Sequence, residues 1–123
     1  MQGYEKEKAQ HSRKTTELER KVPPDAVVYN AAISAVANAA EWQTAIDLLR
    51  EMRRRGLDPD VISYNSAIAA CEKAGRWDKA LTLLYRMEQR DGLTPDVVSF
   101  SSAIAACEKA GCWERALAIL TRM

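Results

Sequence analysis

Histidine, long apolar runs and glycine-rich phosphate-binding loops are scarce or absent in this chain of 123 residues. Its one histidine, His11, lies in a polar segment, and the chain contains neither an H-x-E nor a C-x-x-C motif. Cys107 and Cys112 have no histidine nearby and do not form a metal-ligand set. No apolar stretch approaches the ~20 residues that cross a bilayer, because charged residues interrupt each candidate. We therefore expect no enzyme, no metal or other cofactor, and no membrane span.

The chain also has few cysteines and a small net charge. The chain has three cysteines, and an odd number argues against a disulfide framework and favours a reducing compartment. Its net charge of +1 neither supports nor excludes a polyanionic partner, because the net value hides how the charges are distributed. The segment before Val22 combines lysine and arginine with glutamate, whereas transit peptides are poor in acidic residues, so no targeting signal is visible.

What the sequence does contain is an internal repeat. The ten residues SAIAACEKAG occur at 66–75 and again at 102–111. Two columns of aromatic residues recur at spacings of 35 and then 36 residues, namely Tyr29, Tyr64 and Phe100, and Trp42, Trp77 and Trp113. A fixed period in this range is typical of repeat arrays, in which each unit buries one face against its neighbours.

Each unit has the pattern of two α-helices. In the second unit, Val61, Tyr64, Ile68 and Cys71 fall on one side of a first helix, which ends at Gly75. A second stripe has the spacing of an amphipathic helix and consists of Trp77, Ala80, Leu81, Leu84 and Met87. A Pro-Asp pair closes the unit, since proline cannot continue a helix interior and aspartate is a favourable N-cap. We therefore predict an all-α fold of stacked helix–turn–helix units.

The repeat divides the chain into four parts. Residues 1–25 form a polar segment that ends a degenerate unit, and residues 26–60, 61–96 and 97–123 form three units, the last incomplete. Ala40 replaces the glycine of the other units, so we expect a more helical inner turn there. One extra residue in MEQRDGLTPD lengthens the connection between the second and third units. The angle between these two units is therefore less closely predicted than the angle between the first and second units. Because the terminal unit has a bare face, we also expect self-association.

The joint pattern VVYN/VISYN, EKAGRW, ALTLLYRM and GLDPD/GLTPD resembles the pentatricopeptide repeat family over residues 26–123. The resemblance implies a right-handed α-solenoid with repeats of about 35 residues. Tetratricopeptide repeats are the alternative, with a similar helix–turn–helix unit, a period of ~34 residues and peptide ligands. They would carry a Leu-Gly and a large aromatic residue early in the first helix, and they do not explain the recurring Pro-Asp. The period and the Pro-Asp pair favour the pentatricopeptide family.

This resemblance implies binding of single-stranded RNA, with one nucleotide per repeat and two or three side chains that choose the base. The residue after the aromatic and the residue after the closing proline match the family's selector positions. These selector residues are Asn30, Asp60, Asn65, Asp96 and Ser101. By the family's pairing rule, asparagine with aspartate favours uracil and serine favours a purine. The predicted target is therefore UU-purine.

Two further sets of residues match family positions. Val27, Ile62 and Val98, two residues before each aromatic, match an apolar clamp that holds a base between successive copies. Lys73 and Lys109 match a phosphate-contact position, where the first unit has Asn38 and should bind the RNA backbone more weakly. The family also implies a role in organellar RNA processing, stability or translation, in a mitochondrion or chloroplast.

Each matched position also has a purely structural interpretation. The aspartates would cap helices in any protein, the asparagines could be polar first-turn residues, and the clamp residues could pack between helices. Residues 53–55 are all arginine, but they close a second helix, where cations suit the helix dipole, so we expect a solvated helix end. The three tryptophans begin second helices, and we expect them in the core rather than as stacking platforms.

Two functions from different classes thus remain open. The chain is either an RNA-binding module or a helical structure without RNA, which is a scaffold for protein partners or an idle spacer with vestigial selector residues. Asn65 separates the two hypotheses, because its replacement by alanine weakens RNA binding only under the first.

Overall fold

The structure is a computed structural model that describes residues 25–122, and this range contains six α-helices and no strand. The helices are α1 (Ala26–Asn38), α2 (Trp42–Arg54), α3 (Val61–Lys73), α4 (Trp77–Gln89), α5 (Val97–Lys109) and α6 (Trp113–Arg122). They form three consecutive pairs, which we call the first, second and third units. The predicted all-α class and the helix–turn–helix units are confirmed. The predicted segment 1–25 lies outside the described residues except for Asp25.

An aspartate begins the first helix of each unit. The carboxylates of Asp25, Asp60 and Asp96 accept hydrogen bonds from backbone N–H groups three residues later, at 3.0, 2.9 and 3.0 Å respectively. Such bonds satisfy donors that have no partner inside the helix. The predicted N-cap role of the aspartates is therefore confirmed in all three units.

The turn inside each unit requires one residue in the left-handed region. Gly75 and Gly111 have φ values of 72° and 75°, and Ala40 has a φ of 58°. The expectation of a more helical turn at Ala40 is wrong. The N–H of Glu41 bonds to the carbonyl of Val36, as the matching residues do in the other units, and this bond requires the left-handed residue whatever its side chain.

The helices lie in two layers. The first helices α1, α3 and α5 pack side by side, while each second helix packs against its own first helix and, where one follows, against the first helix of the next unit. Within the described range, α2 and α4 do not pack against each other, which leaves a cleft between them. The core lies between the layers, and its fully buried members include Ile33, Ile68, Leu84 and Met87.

The tryptophans begin the second helices, as predicted, but they are not equally buried. Trp42 and Trp77 are half-buried against the core, and the guanidinium of Arg76 lies 4.6 Å from the ring centre of Trp42. Trp113 is 64% exposed, so its predicted core position is wrong. The reason is that no described helix pair follows α6 and covers its outer side.

The extra residue of the second connection is accommodated at the end of α4. The N–H of Leu93 bonds to the carbonyl of Met87 at 2.7 Å, one residue further back than the matching bond from Leu57 to Met52 at 2.9 Å. The wider loop places the carboxylate of Asp91 against the guanidinium of Arg53. The longer connection thus contributes a contact between the first and second units.

Arg53, Asp91 and the hydroxyl of Tyr64 form a small polar network between α2, α3 and the connection after α4. Arg53 donates to both Asp91 and the Tyr64 oxygen, and Tyr64 donates to Asp91. The side chains of Arg53 and Asp91 are only 27% and 15% exposed. Burial, together with the bond to Asp91, raises the pKa of Tyr64 to about 12. The predicted solvated end is therefore wrong for Arg53, although it holds for Arg54, which pairs with Glu51 at the surface.

Candidate functional site

The sequence-predicted pair Asn30 and Asp60 meets across the boundary between the first and second units. The carboxamide nitrogen of Asn30 donates to Oδ1 of Asp60 at 3.2 Å. The hydroxyl of Ser63, in the first turn of α3, bonds to the carboxamide oxygen of Asn30. Asp60 is held in turn by the backbone N–H of Ser63. The cap of α3 and the polar group on α1 are therefore one hydrogen-bonded cluster.

The same arrangement recurs one boundary later. Asn65 donates to Oδ1 of Asp96 at 3.0 Å, and the hydroxyl of Ser99 bonds to the carboxamide oxygen of Asn65. Both boundaries also contain a full capping box, in which the serine hydroxyl accepts from the N–H of the aspartate at 3.1 Å. We call each Asn–Asp–Ser cluster a boundary triplet.

The hydrogen bonds of the triplets keep both aspartates ionised. Partial burial acts to raise the pKa of Asp60, but the bonds from Ser63 and Asn30 outweigh it and lower the pKa. Bonds from the Ser99 backbone and from Asn65 lower the pKa of Asp96. An ionised carboxylate can only accept, so it fixes which end of each asparagine amide faces it.

Each asparagine keeps part of its hydrogen-bonding capacity. A carboxamide has two N–H donors and two oxygen lone pairs, and the triplet uses one of each. One donor and one acceptor of Asn30, and the same of Asn65, therefore have no partner among residues 25–122. The half-buried amides are held in one orientation and can present a donor and an acceptor in a fixed order.

The third selector position differs from the first two. Ser101 is exposed, and no aspartate of a following unit is described beside it. At the other end of the range, Val28 occupies the position of Ser63 and Ser99, so the cap of α1 consists of Asp25 alone. The complete triplets are thus confined to the two boundaries inside the described array.

The clamp residues lie at the surface of the first helices. Val27, Ile62 and Val98 are 74%, 61% and 54% exposed. The alternative interpretation, that these residues pack between helices, is therefore wrong. Exposed aliphatic side chains at matching positions of three parallel helices form a regular apolar series beside the triplets.

The two lysines are engaged with the preceding unit. The ammonium of Lys73 donates to the carboxamide oxygen of Asn38 at 3.1 Å, and that of Lys109 forms an ion pair with Glu72 at 2.8 Å. Lys73 has a neutral partner and keeps its charge uncompensated, whereas the charge of Lys109 is balanced. The two positions, equivalent in sequence, are electrostatically different.

Ser63 and Ser99 are site residues that the sequence reasoning did not identify. Each stands three residues after an aspartate N-cap, which is the spacing of a capping box, and that spacing was a usable signal. Their contact with an asparagine of the preceding unit spans 33 and 34 residues and has no local signature.

The cysteines and acidic residues of the described range show no metal-binding arrangement. Burial raises the pKa of Cys71 to about 11 and also raises that of Cys107, so both thiols stay protonated. No three potential metal ligands cluster within residues 25–122. In the same part of the chain, no helix is both long and apolar enough to traverse a bilayer.

Family profiles match the whole of the described range. The profile of the PPR repeat family matches residues 24–73 and 59–109, and a second PPR repeat profile matches residues 98–123. Among curated proteins, no significant match was found.

Solved structures share the same fold. The crystal structure of the pentatricopeptide repeat protein PPR10 from maize matches 91% of this chain with a TM-score of 0.79 and 28% identity. PPR10 in complex with an 18-nt psaJ RNA element matches the same share with a TM-score of 0.76 and 27% identity. The chain spans 16% of the length of PPR10 in both cases.

Proposed function

Because this chain belongs to the pentatricopeptide repeat family, we propose that it binds single-stranded RNA along the exposed side of α1, α3 and α5, without catalysis. The observation that carries the proposal is the boundary triplet, in which Asp60 and Ser63, or Asp96 and Ser99, hold an asparagine amide in one orientation. The complex of PPR10 with an RNA element supports the ligand class.

One nucleotide lies at each triplet in this proposal. Uracil presents a donor at N3 beside an acceptor at O4, whereas cytosine presents the reverse order at the same edge. An amide with a fixed donor and acceptor order therefore discriminates between the two pyrimidines, and a freely turning amide does not. With the family's pairing rule, Asn30 and Asn65 select uracil, and Ser101 favours a purine.

The clamp residues and lysines complete the proposed interface. One base lies between Val27 and Ile62, and the next lies between Ile62 and Val98. Lys73, whose partner is neutral, contacts phosphate more strongly than Lys109. For single strands, each phosphate contact contributes about 0.7 to the slope of log K against log salt, so Lys73→Ala should remove that amount.

The test is fluorescence anisotropy with labelled RNAs that contain UU-purine, AU-purine, UA-purine and AA-purine, across several salt concentrations. Wild type should prefer UU-purine at every salt concentration. Asn30→Ala should abolish the preference at the first base only, and Asn65→Ala at the second base only, so each variant is the matched control of the other. Asn65→Ser should change the preference at the second base from uracil to a purine.

The opposite results are equally definite. If both asparagine variants bind all four RNAs as the wild type does, with circular dichroism unchanged, the triplets do not select bases. Equal binding that salt abolishes would identify an unspecific polyanion contact. Failure to bind any RNA would leave the helical scaffold for protein partners.

Membership of the family supports a place of action inside an organelle. We propose a mitochondrial or chloroplast protein that serves RNA processing, stability or translation. Fractionation of organelles with an antibody against the chain tests the location, and recovery only outside both organelles would contradict it.

We also propose self-association through the outer side of the third unit. Trp113, Leu117 and Leu120 form an apolar surface there, and each is more than half exposed. Such surfaces are uncommon on monomers and typical of interaction sites. Sedimentation velocity at rising concentration should show dimers for the wild type and monomers for Leu117→Glu, and Tyr85→Glu, at an exposed position of α4, is the matched control. Monomers at every concentration would contradict the proposal.

A further inference from the structure

An arginine-lined cleft lies between α2 and α4, on the layer of second helices. Its volume is about 380 Å³. Five arginines line it, and no carboxylate does: Arg50, Arg53, Arg54, Arg86 and Arg90. Buried leucine and isoleucine side chains and the Tyr64 ring form its floor. The selector residues lie on the other layer of helices, so the cleft is separate from the proposed RNA site.

The charges around the cleft do not balance. Arg53 pairs with Asp91, Arg54 with Glu51, and Arg50 lies 3.9 Å from Asp47. Arg86 and Arg90 form no ion pair with any residue of the range 25–122. Two positive charges are therefore uncompensated at a site where several like charges already converge.

The equivalent place between α4 and α6 has a different composition. The three arginines of α2 that line the cleft correspond to Tyr85, Glu88 and Gln89 of α4. Arg122, which corresponds to Arg86, forms an ion pair with Glu88. Helix dipoles explain a cation at each helix end, but they apply to both places and do not explain why five arginines line the α2–α4 cleft.

We propose that the cleft between α2 and α4 binds a phosphomonoester dianion, supplied by a phosphorylated protein side chain or by free phosphate. Guanidinium groups form paired, charge-assisted hydrogen bonds with phosphate oxygens, and a dianion matches the two uncompensated charges. Arg86 and Arg90 line the same cleft, which suits one doubly charged group better than the singly charged diesters of an RNA backbone. This site is independent of the RNA interface and stands or falls separately from it.

The experiment follows the side-chain Nε–Hε signals of the arginines by NMR. The probes are the capped tripeptide Ala-phosphoserine-Ala, its unphosphorylated form, inorganic phosphate and the dinucleotide UpU. Phosphate-bearing probes should shift the Arg86 and Arg90 signals with saturation, and the unphosphorylated peptide should not. Tighter binding of the phosphopeptide identifies a protein source, and tighter or equal binding of inorganic phosphate identifies the free anion.

Two variants with the same loss of charge decide the outcome. Arg86→Gln should weaken phosphopeptide binding about tenfold, the loss of one charge-assisted pair, while Arg122→Gln should leave it unchanged. Equal losses in both variants, or shifts that do not saturate, would show unspecific charge attraction and overturn the proposal. Binding of UpU as tight as that of the phosphopeptide would also overturn it. If Arg86→Gln does not fold, Arg90→Gln at the exposed helix end replaces it.

Discussion

The boundary between the first and second units and the boundary between the second and third units are alike on one side and different on the other. On the side of the first helices, the Asn–Asp bonds measure 3.2 and 3.0 Å, and both have the same serine contact. On the side of the second helices, one boundary has Arg53, Tyr64 and Asp91, and the other has Glu88 with Arg122.

The difference shows where this array tolerates change. The connection after α4 is one residue longer than that after α2, yet the triplet that follows it keeps its geometry. The extra length is taken up at the C-terminal end of α4, and Asp91 there contacts Arg53 of the first unit. Variation in the second helices and connections thus leaves the polar groups of the first helices in place.

The largest effect should come from removing Asp91. Asp91→Ala leaves the half-buried Arg53 and the Tyr64 hydroxyl without their shared acceptor, so we expect a loss of about 2 kcal/mol in the free energy of unfolding. Urea denaturation followed by circular dichroism measures it. Glu88→Ala, which breaks the more exposed pair at the other boundary, should cost less than ~1 kcal/mol.

The same variant separates the two sides of the boundary. If the second-helix side only supports the fold, Asp91→Ala should keep the base preference of Asn65 under conditions where the protein is folded. A changed preference at the second base would show that the two sides are coupled. It would contradict the conclusion that changes in the second helices leave the polar groups of the first helices in place.

The next largest effect concerns the turns inside the units. Ala40 has a left-handed φ of 58°, where the other two units have glycine. Ala40→Gly should therefore raise the free energy of unfolding by about 1 kcal/mol, because glycine adopts this conformation without strain. Ala39→Gly is the matched control, since Ala39 has a φ of −91° and gains nothing from glycine. Equal stability changes in both variants, measured by urea denaturation, would contradict the explanation.

The smallest effect is a dependence on pH that the two triplets share. The pKa values of Asp60 and Asp96 are lowered in the folded chain, so their contribution to stability is present above pH ~4 and is lost as the pH falls through the folded values. Asn also caps helices but does not titrate. Between roughly pH 5 and pH 3, the Tm of the double variant Asp60→Asn/Asp96→Asn should therefore fall less than the Tm of the wild type. Parallel curves would contradict this.

The sequence was sufficient to predict what repeats. The period of the tryptophans and of the Tyr/Phe column predicted six helices and their pairing, and the residue after each closing proline predicted the caps. These features are local or recur in each unit, so a feature that is recognised in one unit can be assigned at the matching positions of the others. The selector positions came from the family resemblance, and their role in base selection stays a prediction.

What the sequence could not predict is what differs between units. Arg53 and Asp91 lie 38 residues apart, and nothing in the repeat pattern marks them as partners. Ala40 shows that the hydrogen bonds of a turn can determine its backbone against the preference of the side chain. The exposure of Trp113 depends on which elements follow it rather than on its own place in the unit.

The boundary triplet has a consequence for anyone who transplants these repeats. A cassette cut as residues 26–60 includes Asn30 and Asp60 but leaves Ser63 with its neighbour. The array that receives the cassette must therefore provide a serine hydroxyl at the position of Ser63. A cassette inserted ahead of Ala26 would have Val28 at that position and would lack the hydroxyl. In designed arrays, the junction between two modules should therefore be chosen so that the module after a grafted asparagine has a serine at the position of Ser63.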